Sequence, residues 1–409
     1  MYLAWLSMIK WKGMTELCPQ GKCQEGQHEK TKIRSGRRRQ RSIYRNVHRH
    51  GAVMDDLAEL TAGCFTRNPE KNLETAKQWG IPDESRVYAN YMEMAEKESA
   101  REDGIDFVSI CTPNDTHFPI AKCFLEHGIN VMCDKPLALR TEEGIELKRI
   151  AEEKDLLFGV TYTYTGYTMI EQARRMIAAG EIGKILTIVA EYPQEWLLVQ
   201  MVSDRSDQAT WRMDPKRSGP SGCCADIGTH VEALIGHMTG LKLERVLARF
   251  ERLPKEKELP LDNNVQIMLE YEGGISGLIW SSQVALGNET DLRVRIFGDK
   301  GAIECQHRDS QRLFVTRINE PVQIYTPTRD YDTESCRSLS RLPSGHPEGF
   351  FESFGNLYKG FCTALLKKKY GEDRGDYPYP TIDAGIEGLK FVDACLKSSN
   401  SGNIWVDLD

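Results

Sequence analysis

Between residues 57 and 164 the chain alternates short apolar runs with longer amphipathic segments. The apolar runs 57–65, 106–113, 130–136 and 156–164 are typical of strands that are buried on both faces. The segments between them have the length and the periodicity of helices. Strands that alternate with helices in this way predict an α/β fold with a parallel, doubly wound sheet.

Capping residues predict where the helices of this half begin and end. Asn68 and Pro69 stand where an N-cap and a first helical residue are expected, and Gly80 follows as the stop. Thr116 precedes the next helical segment and is predicted to cap it, with Gly128 at its end. These boundaries leave the polar residues that follow each strand in loops.

Beyond about residue 184 the pattern changes to alternation of single apolar and polar residues. The segments 184–193, 263–286 and 292–305 show it, with glycine-containing turns, and predict a mostly antiparallel open sheet. Helical segments return between and after these strands. The predicted organisation is an atypical segment at 1–33, an α/β domain at 34–165 and an α+β domain at 166–409.

The composition limits the partners of the protein. Its 409 residues carry 53 Lys and Arg against 60 Asp and Glu, a formal net charge of -7, whereas nucleic-acid binders are usually basic. No segment reaches the roughly 20 apolar residues that cross a bilayer, so we expect no membrane partner. Cys64, Cys111 and Cys133 fall in predicted buried strands, which favours reduced thiols and a cytoplasmic protein.

Two consecutive predicted strands end in the polar sequences CTPNDTH and CDKPLA. Ligands of open parallel sheets bind beyond the carboxyl ends of the strands, so these ends are candidate site positions. Lys135, at the second end, is a candidate proton donor or acceptor, because burial lowers the pKa of a lysine. Taken alone, it is more typical of a surface lysine that starts a loop.

Asp226 and His230 stand four residues apart at the start of a predicted helix, which puts both side chains on one face. A carboxylate and a histidine paired in this way serve as general acid or base. The same pair is equally typical of a helix cap and a core histidine. We predict no metal site, because no third ligand stands near the pair and Cys18, Cys23 and His28 lack a second ligand pair.

Together these motifs resemble the Gfo/Idh/MocA family of NAD(P)-dependent oxidoreductases, over about residues 46–409. The resemblance is carried by CFTRNPEK, DFVSICTPNDTH, GINVMCDKPLAL, VTYTYTGY, WRMDPKRSGPSGCCADIGTH and GHPEGFFESFGNLY. It implies that 34–165 is a Rossmann-type dinucleotide-binding domain and that 166–409 binds the substrate and forms oligomers. The implied reaction is hydride transfer between NAD(P) and a secondary alcohol or ketone of a sugar, cyclitol or sugar acid.

The resemblance also implies roles for single residues. Lys135 and His230 would move the hydroxyl proton, while Asp226 orients them and balances charge. The cofactor side would comprise Thr66, Arg67, Thr112, Pro113, Asn114, His117, Asp134 and Lys135, with Asp134 in place of the usual glutamate. The polyol pocket would be lined by Tyr162, Tyr164, Trp196, Trp211, Arg212 and His346.

Several choices stay open on the sequence. Thr66 and Arg67 stand where an acidic residue usually binds the ribose hydroxyls, which favours NADP slightly over NAD. The open face of the antiparallel sheet favours a homo-oligomer. Other functions are a non-catalytic relative that binds a sugar or a protein partner, and a metal-dependent hydrolase that uses Asp226 and His230.

The stretch RSGRRRQRSIYRNVHRH, Arg34 to His50, departs from the family pattern. A Rossmann-type domain needs an apolar strand here and then a glycine-rich turn whose backbone amides reach the pyrophosphate. The family turn resembles Gly-Gly-Gly-x-Gly-x-Phe-Ile-Gly, but no glycine stands between Gly36 and Gly51. The basic run alone is also typical of a nuclear-localisation or nucleic-acid-binding arm, or of a divergent loop.

A shift of reading frame reproduces the missing turn. If Arg37, Arg38 and Arg39 are encoded by CGG, Gln40 by CAG and Arg41 by AGG, the frame one nucleotide later encodes Gly-Gly-Gly-Arg-Gly. The next four positions permit Ala or Val, Phe, Ile and Gly, and the two preceding positions permit Val-Val. We therefore hypothesise that residues 34–45 are out of frame, and we expect the unaltered chain to bind NAD(P) poorly.

Overall fold

The computed structural model describes residues 6–10, 43–203 and 212–408. In these residues the chain forms a five-stranded sheet, β2-β1-β3-β4-β5, and a nine-stranded sheet, β13-β12-β11-β10-β6-β9-β8-β7-β14. The strands are β1 (Leu6–Lys10), β2 (Glu59–Cys64), β3 (Phe107–Ile110), β4 (Asn130–Cys133), β5 (Phe158–Val160), β6 (Ile185–Pro193), β7 (Leu243–Glu251), β8 (Asn264–Tyr271), β9 (Ile275–Ser282), β10 (Arg293–Gly298), β11 (Gly301–Gln306), β12 (Leu313–Arg317), β13 (Gln323–Tyr325) and β14 (Val406–Asp407). The α-helices are α1 (Ile43–Val53), α2 (Pro69–Trp79), α3 (Tyr91–Ser99), α4 (His117–Glu126), α5 (Thr141–Glu153), α6 (Thr168–Ala178), α7 (Trp196–Ser203), α8 (Pro215–Ser218), α9 (Thr229–Thr239), α10 (Glu334–Leu339), α11 (Phe350–Tyr370) and α12 (Ile382–Asn400).

The predicted fold class is confirmed: a Rossmann-type α/β sheet is followed by an α+β region with a mostly antiparallel sheet. Strands β3, β4 and β5 pair in parallel, and they are buried along their whole length, as continuous apolar runs predict. In the second sheet β6 and β9 pair in parallel and the other pairs are antiparallel. None of the helices in the described ranges is long and apolar enough to span a bilayer.

In the first sheet β1 occupies the position between β2 and β3. This strand runs antiparallel to both β2 and β3, with Leu6 paired to Cys64 and Ile110. The sequence pattern predicts no strand in 1–33, so β1 is a departure from the prediction. In a doubly wound sheet this position belongs to the parallel strand that leads into the glycine-rich turn. The residues expected to form that strand and turn, up to residue 42, lie outside the described ranges.

Local capping determines the ends of α2 as predicted. The Asn68 side chain accepts a hydrogen bond from the Lys71 amide at 2.9 Å, Pro69 is the first helical residue, and Gly80 ends the helix at φ 76°. The prediction for Thr116 is wrong in its chemistry. It precedes α4, but its hydroxyl donates back to the Pro113 carbonyl at 2.7 Å rather than accepting from the helix.

The C-terminal helices return to the first sheet. Side chains of α11 pack in one cluster with residues of α1, β3 and β4; these are Val47, Ala52, Phe107, Met132, Phe354, Leu357, Tyr358 and Phe361. On the other face, Ile382 and Leu389 of α12 join the core beneath β4 and β5. Burial of Val47, His48 and Ala52 shows that α1 packs normally from just after Asn46, the point at which the frame is hypothesised to return.

Candidate functional site

The two sheets meet where Lys135 contacts Asp226. Lys135 follows β4 at the carboxyl edge of the first sheet, and its Nζ donates to Asp226 Oδ1 at 2.8 Å and to the Asp226 backbone oxygen. The side chains are 14% and 26% exposed, so the pair is partly screened from solvent but open to a ligand. The structure therefore brings together the lysine and the aspartate that the sequence selects from positions 91 residues apart.

Asp226 lies in a π-helical turn, Cys224–Gly228, that leads into α9. This turn is held by Asp262, a buried residue that precedes β8. Its carboxylate accepts hydrogen bonds from the Ser221 hydroxyl and the Gly222 amide at 2.8 Å and from the Cys224 amide at 2.9 Å. Gly222 is required here, because a Cβ would stand 2.4 Å from the Asp262 carbonyl oxygen. Such π-turns recur at functional sites because they re-aim side chains.

The charge of Asp226 is stabilised by its neighbours. Burial alone would raise its pKa, but the Lys135 charge, the charge of Arg212 and the Lys135 hydrogen bond lower it to about 2. Arg212 Nε stands 4.0 Å from Asp226 Oδ2, and the guanidinium lies 5.7 Å from the ring centre of Trp196. Asp226 is thus an anion at neutral pH, and Trp196 and Arg212 lie beside it.

His230 is 8% exposed and lies in the first turn of α9. Burial, followed by the Lys135 charge, holds its pKa well below the usual 6.5, although Asp226 and Asp134 act in the opposite direction. Its Nδ1 is buried and has no hydrogen-bond partner within the described residues. A neutral imidazole next to Lys135 and Asp226 is suited to accept a proton from a bound hydroxyl.

Two tyrosines set the orientation of the His230 ring. Tyr164 packs edge-on to it at 4.8 Å between ring centres, and Tyr162 does the same at 5.7 Å. Tyr162 is 1% exposed, so it supports the ring from behind. Tyr164 lines a small cleft together with Tyr167, Leu234, His307 and Arg312.

His117 connects the loop that follows β3 with the loop that follows β4 and contains Lys135. This histidine is fully buried, and its two ring nitrogens contact the Thr112 carbonyl at 2.9 Å and the Pro136 carbonyl at 2.7 Å. His117 therefore positions the loops from beneath, whereas the sequence predicts it beside the cofactor. Pro113 begins the short helical turn 114–116, whose Asn114 amide reaches the Ser218 carbonyl at 3.4 Å.

Asp134 is held in a buried network that includes a residue the sequence analysis missed. His48 of α1 stands 3.7 Å from the Asp134 carboxylate, and its other nitrogen contacts the Tyr358 hydroxyl at 2.9 Å. The Thr161 hydroxyl donates to Asp134 at 2.9 Å. Burial would raise the pKa of Asp134, but its interaction with the nearby His48 outweighs burial and lowers the pKa. The network fixes the residue next to Lys135.

The remaining predicted residues lie apart from this centre or outside the described ranges. Thr66 follows β2, where its amide donates to Asn72 Oδ1 at 3.2 Å, and Arg67 is exposed beside it. His346 lies on an exposed loop and contacts the Pro343 carbonyl at 3.2 Å, with no contact to Lys135. Trp211 lies outside the described residues.

Gln283 is a site residue that the sequence analysis missed. It follows β9, is 2% exposed, and its side-chain amide donates to Asp226 Oδ2 at 2.9 Å. The available signal was the run Ser281, Ser282 and Gln283 at the end of an alternating strand, where three consecutive polar residues break the alternation. All three are buried.

The described residues fit the nicotinamide and ribose ends of a dinucleotide. Thr112, Asn114 and Lys135 stand at the carboxyl ends of adjacent parallel strands, the edge where such ligands bind. The Lys135 charge also acts on His230, so the histidine belongs to the same centre. Within the described ranges no group of three or more His, Cys, Asp or Glu side chains converges as metal ligands.

Two family models match the chain. One is the oxidoreductase family with an NAD-binding Rossmann fold, over residues 35–162, and the other is the GFO/IDH/MocA C-terminal domain, over residues 170–304. The first match begins within the basic stretch. Together the matches include β2 to β5 of the first sheet and β6 to β10 of the second.

Relatives of known sequence and structure cover most of the chain. The uncharacterized oxidoreductase YfiI of Bacillus subtilis is 35% identical, covering 88% of this chain and 92% of its own. Levoglucosan dehydrogenase of Pseudarthrobacter phenanthrenivorans is 25% identical, covering 83% and 87%. An inositol dehydrogenase homolog from Azotobacter vinelandii, solved with NAD+, is 35% identical with a TM-score of 0.84, covering 90% and 94%. The same homolog has been solved with NADH and myo-inositol, with a TM-score of 0.82.

Proposed function

The chain belongs to the Gfo/Idh/MocA family of NAD(P)-dependent oxidoreductases, and from that membership we propose that its substrate is a ring hydroxyl or ketone of a sugar or cyclitol. The observation that carries the proposal is the contact of Lys135 with Asp226 beside a neutral, unpartnered His230. The relatives that act on levoglucosan, or that were solved with myo-inositol, support a cyclic polyol as the substrate class.

Each group of the site has a separate role in the proposed reaction. The nicotinamide, when bound, supplies the redox chemistry by accepting or giving the hydride. The His230 imidazole accepts the hydroxyl proton during oxidation and returns it during reduction. The Lys135 ammonium donates a hydrogen bond to the substrate oxygen as charge develops there, and Asp226 holds that ammonium in place. Thr112, Asn114 and Lys135 would hold the nicotinamide end of the cofactor, and Thr66 and Arg67 the adenosine ribose.

The preference between NAD and NADP rests on Arg67. An exposed cation at the end of β2 can bind a 2′-phosphate, which favours NADP. The solved homolog contains NAD+ or NADH. Titration with both cofactors, in a chain that carries the glycine-rich turn at residues 37–45 and in the same chain with Arg67→Asp, tests this point. The expected result is that the substitution lowers the affinity for NADP and leaves the affinity for NAD unchanged.

The rate is expected to fall on the acid side only below pH 6.5. The base form of His230 exists above its pKa, which burial and Lys135 hold well below the usual 6.5; Asp226 and Asp134 oppose that shift, and His307 supports it. kcat/KM should therefore be independent of pH from neutrality down past 6.5 and decrease at lower pH. A pH series of kcat/KM with a cyclic polyol measures this, and an acid limb centred above 6.5 would contradict the base role of His230.

We propose a homo-oligomer formed through the open face of the second sheet. Leu247, Met268, Leu278 and Val189 stand opposite one another on four neighbouring strands, and Met268 and Leu278 are 51% and 43% exposed. Such a row favours a self-complementary contact with a second copy. Met268→Lys with Leu278→Lys should reduce the mass in solution to that of a monomer by light scattering, whereas a monomeric unaltered chain would contradict the proposal.

A further inference from the structure

Each oxygen of the Asp226 carboxylate is bound by a donor from a different sheet. Oδ1 accepts from Lys135 Nζ at 2.8 Å, and Oδ2 accepts from Gln283 Nε2 at 2.9 Å. Lys135 follows a strand of the first sheet and Gln283 follows a strand of the second. The aspartate is therefore clamped between the two sheets, with its plane set by both contacts.

Gln283 is itself a rigid anchor. Its backbone amide donates to the Asn263 carbonyl at 2.8 Å, and its carbonyl accepts from the Leu197 amide at 3.1 Å. The preceding Ser282 carbonyl accepts from the Gln194 amide at 2.7 Å. These bonds tie Gln283 to β8 on one side and to the start of α7 on the other, and the side chain is 2% exposed.

A neutral donor at this place has a specific chemical consequence. The terminal torsion of a carboxylate is broad, so an aspartate bound at one oxygen swings about that bond. The Gln283 amide restricts the swing without adding a positive charge that would compete with Lys135 for the anion. Arg212, at 4.0 Å, is too far to fix the carboxylate plane by a hydrogen bond.

We infer that Gln283 is a positioning residue of the proposed reaction: it holds the Asp226 carboxylate so that Lys135 stays aimed at the substrate oxygen. This inference rests on the proposed function for its catalytic consequence, but not for the geometry it predicts. Gln283→Met keeps the length of the side chain and removes the donor. The matched control is Gln266→Met, at an exposed position of β8 in the same sheet.

The first test needs no cofactor. Reductive methylation of the unaltered full-length chain, followed by peptide mass spectrometry, gives the rate at Lys135 relative to the exposed Lys148. Gln283→Met should raise that ratio about tenfold, since a hydrogen bond to a charged group is lost, and Gln266→Met should leave it unchanged. In an Asp226→Asn background the effect of Gln283→Met should vanish, because Gln283 acts through Asp226. An unchanged ratio, or an effect that persists without Asp226, overturns the inference.

The second test measures kinetics in a chain that turns over a cyclic polyol. Gln283→Met should lower kcat about tenfold while KM changes less than about threefold, because the interaction is with the catalytic pair rather than with the substrate. Turnover with kcat equal to that of the parent overturns the inference and leaves the proposed function intact. Changed methylation at Lys135, together with no polyol turnover by a chain that carries the glycine-rich turn and binds NAD(P), supports the positioning and contradicts the proposed function.

Discussion

Replacing residues 35–45 with Val-Val-Gly-Gly-Gly-Arg-Gly-Ala-Phe-Ile-Gly is expected to tighten NADH binding by about 100-fold or more over the unaltered chain. Backbone amides of a glycine turn at the start of a helix bind the pyrophosphate. Each such charge-assisted bond contributes about 1.5 kcal/mol or more, so two of them give about 3 kcal/mol, or about 100-fold. Calorimetric titration with NADH and NADPH measures the difference.

Topology gives an independent reason for this expectation. In the unaltered chain β1 lies between β2 and β3, runs antiparallel to both, and has Leu6, its first residue, beside the ends of these two strands. A strand in this direction cannot lead into a turn at the cofactor edge and then directly into α1. The restored Val-Val segment is expected to take this position in parallel.

The control for this replacement distinguishes the effect of adding the glycines from the effect of removing the arginines. Changing residues 37–41 to Ala-Ala-Ala-Gln-Ala removes the cations without supplying the turn, and it should not restore binding. Equal affinity of the unaltered and restored chains would show that the glycine turn is not needed. Sequencing the gene across the codons for residues 30–50 tests the frameshift itself, because an intact frame would make the basic stretch a genuine feature.

Lys135→Met is expected to lower kcat/KM by roughly 1000-fold in a chain that binds cofactor, within the range of a positioned acid–base group. Lys135 is the direct partner of Asp226 and stands at the edge where the substrate oxygen would be bound. Steady-state rates with myo-inositol measure the loss. The matched control is Lys148→Met, which breaks a Lys148–Asp383 ion pair of 2.6 Å on the surface and should leave the rate unchanged.

A second variant distinguishes the loss of the catalytic lysine from a loss of folding. Removing Lys135 alone leaves Asp226 partly buried without its cation, which is costly. Lys135→Met combined with Asp226→Asn removes both charges and should fold with near-parental thermal stability while remaining inactive. Parental activity in either variant would contradict the assigned role of the lysine.

The sequence predicted those parts of the fold that depend on local pattern. Continuous apolar runs identify β3 and β4 because both faces of these strands are covered, and Asn68, Pro69 and Gly80 fix the ends of α2 through bonds within a few residues. The antiparallel β1 was not predictable, because its place depends on pairing with β2 and β3, which lie far along the chain, rather than on its own five residues.

The sequence selects candidate site residues where residue type alone points to chemistry. Lys135, Asp226 and His230 stand out because strand-end lysines and Asp-His pairs are few, whereas Gln283, Asp262 and His48 act through contacts across the fold. Gln283 and Asp226 are 57 residues apart, and His48 and Tyr358 are 310 apart. No spacing in the sequence encodes such pairs. Tyr162 and His117, which are predicted to contact substrate and cofactor, are buried, and these contacts stay predictions.

The most direct test of the proposed function is NADH formation by the chain with the restored turn. Incubation with NAD+ and myo-inositol, followed through the near-ultraviolet absorbance of NADH, should show turnover that Lys135→Met abolishes. A panel of other cyclic polyols and sugars extends the test if inositol is not the substrate. Cofactor binding without NADH formation from any of them would contradict the account and favour a non-catalytic relative that binds a sugar or a partner.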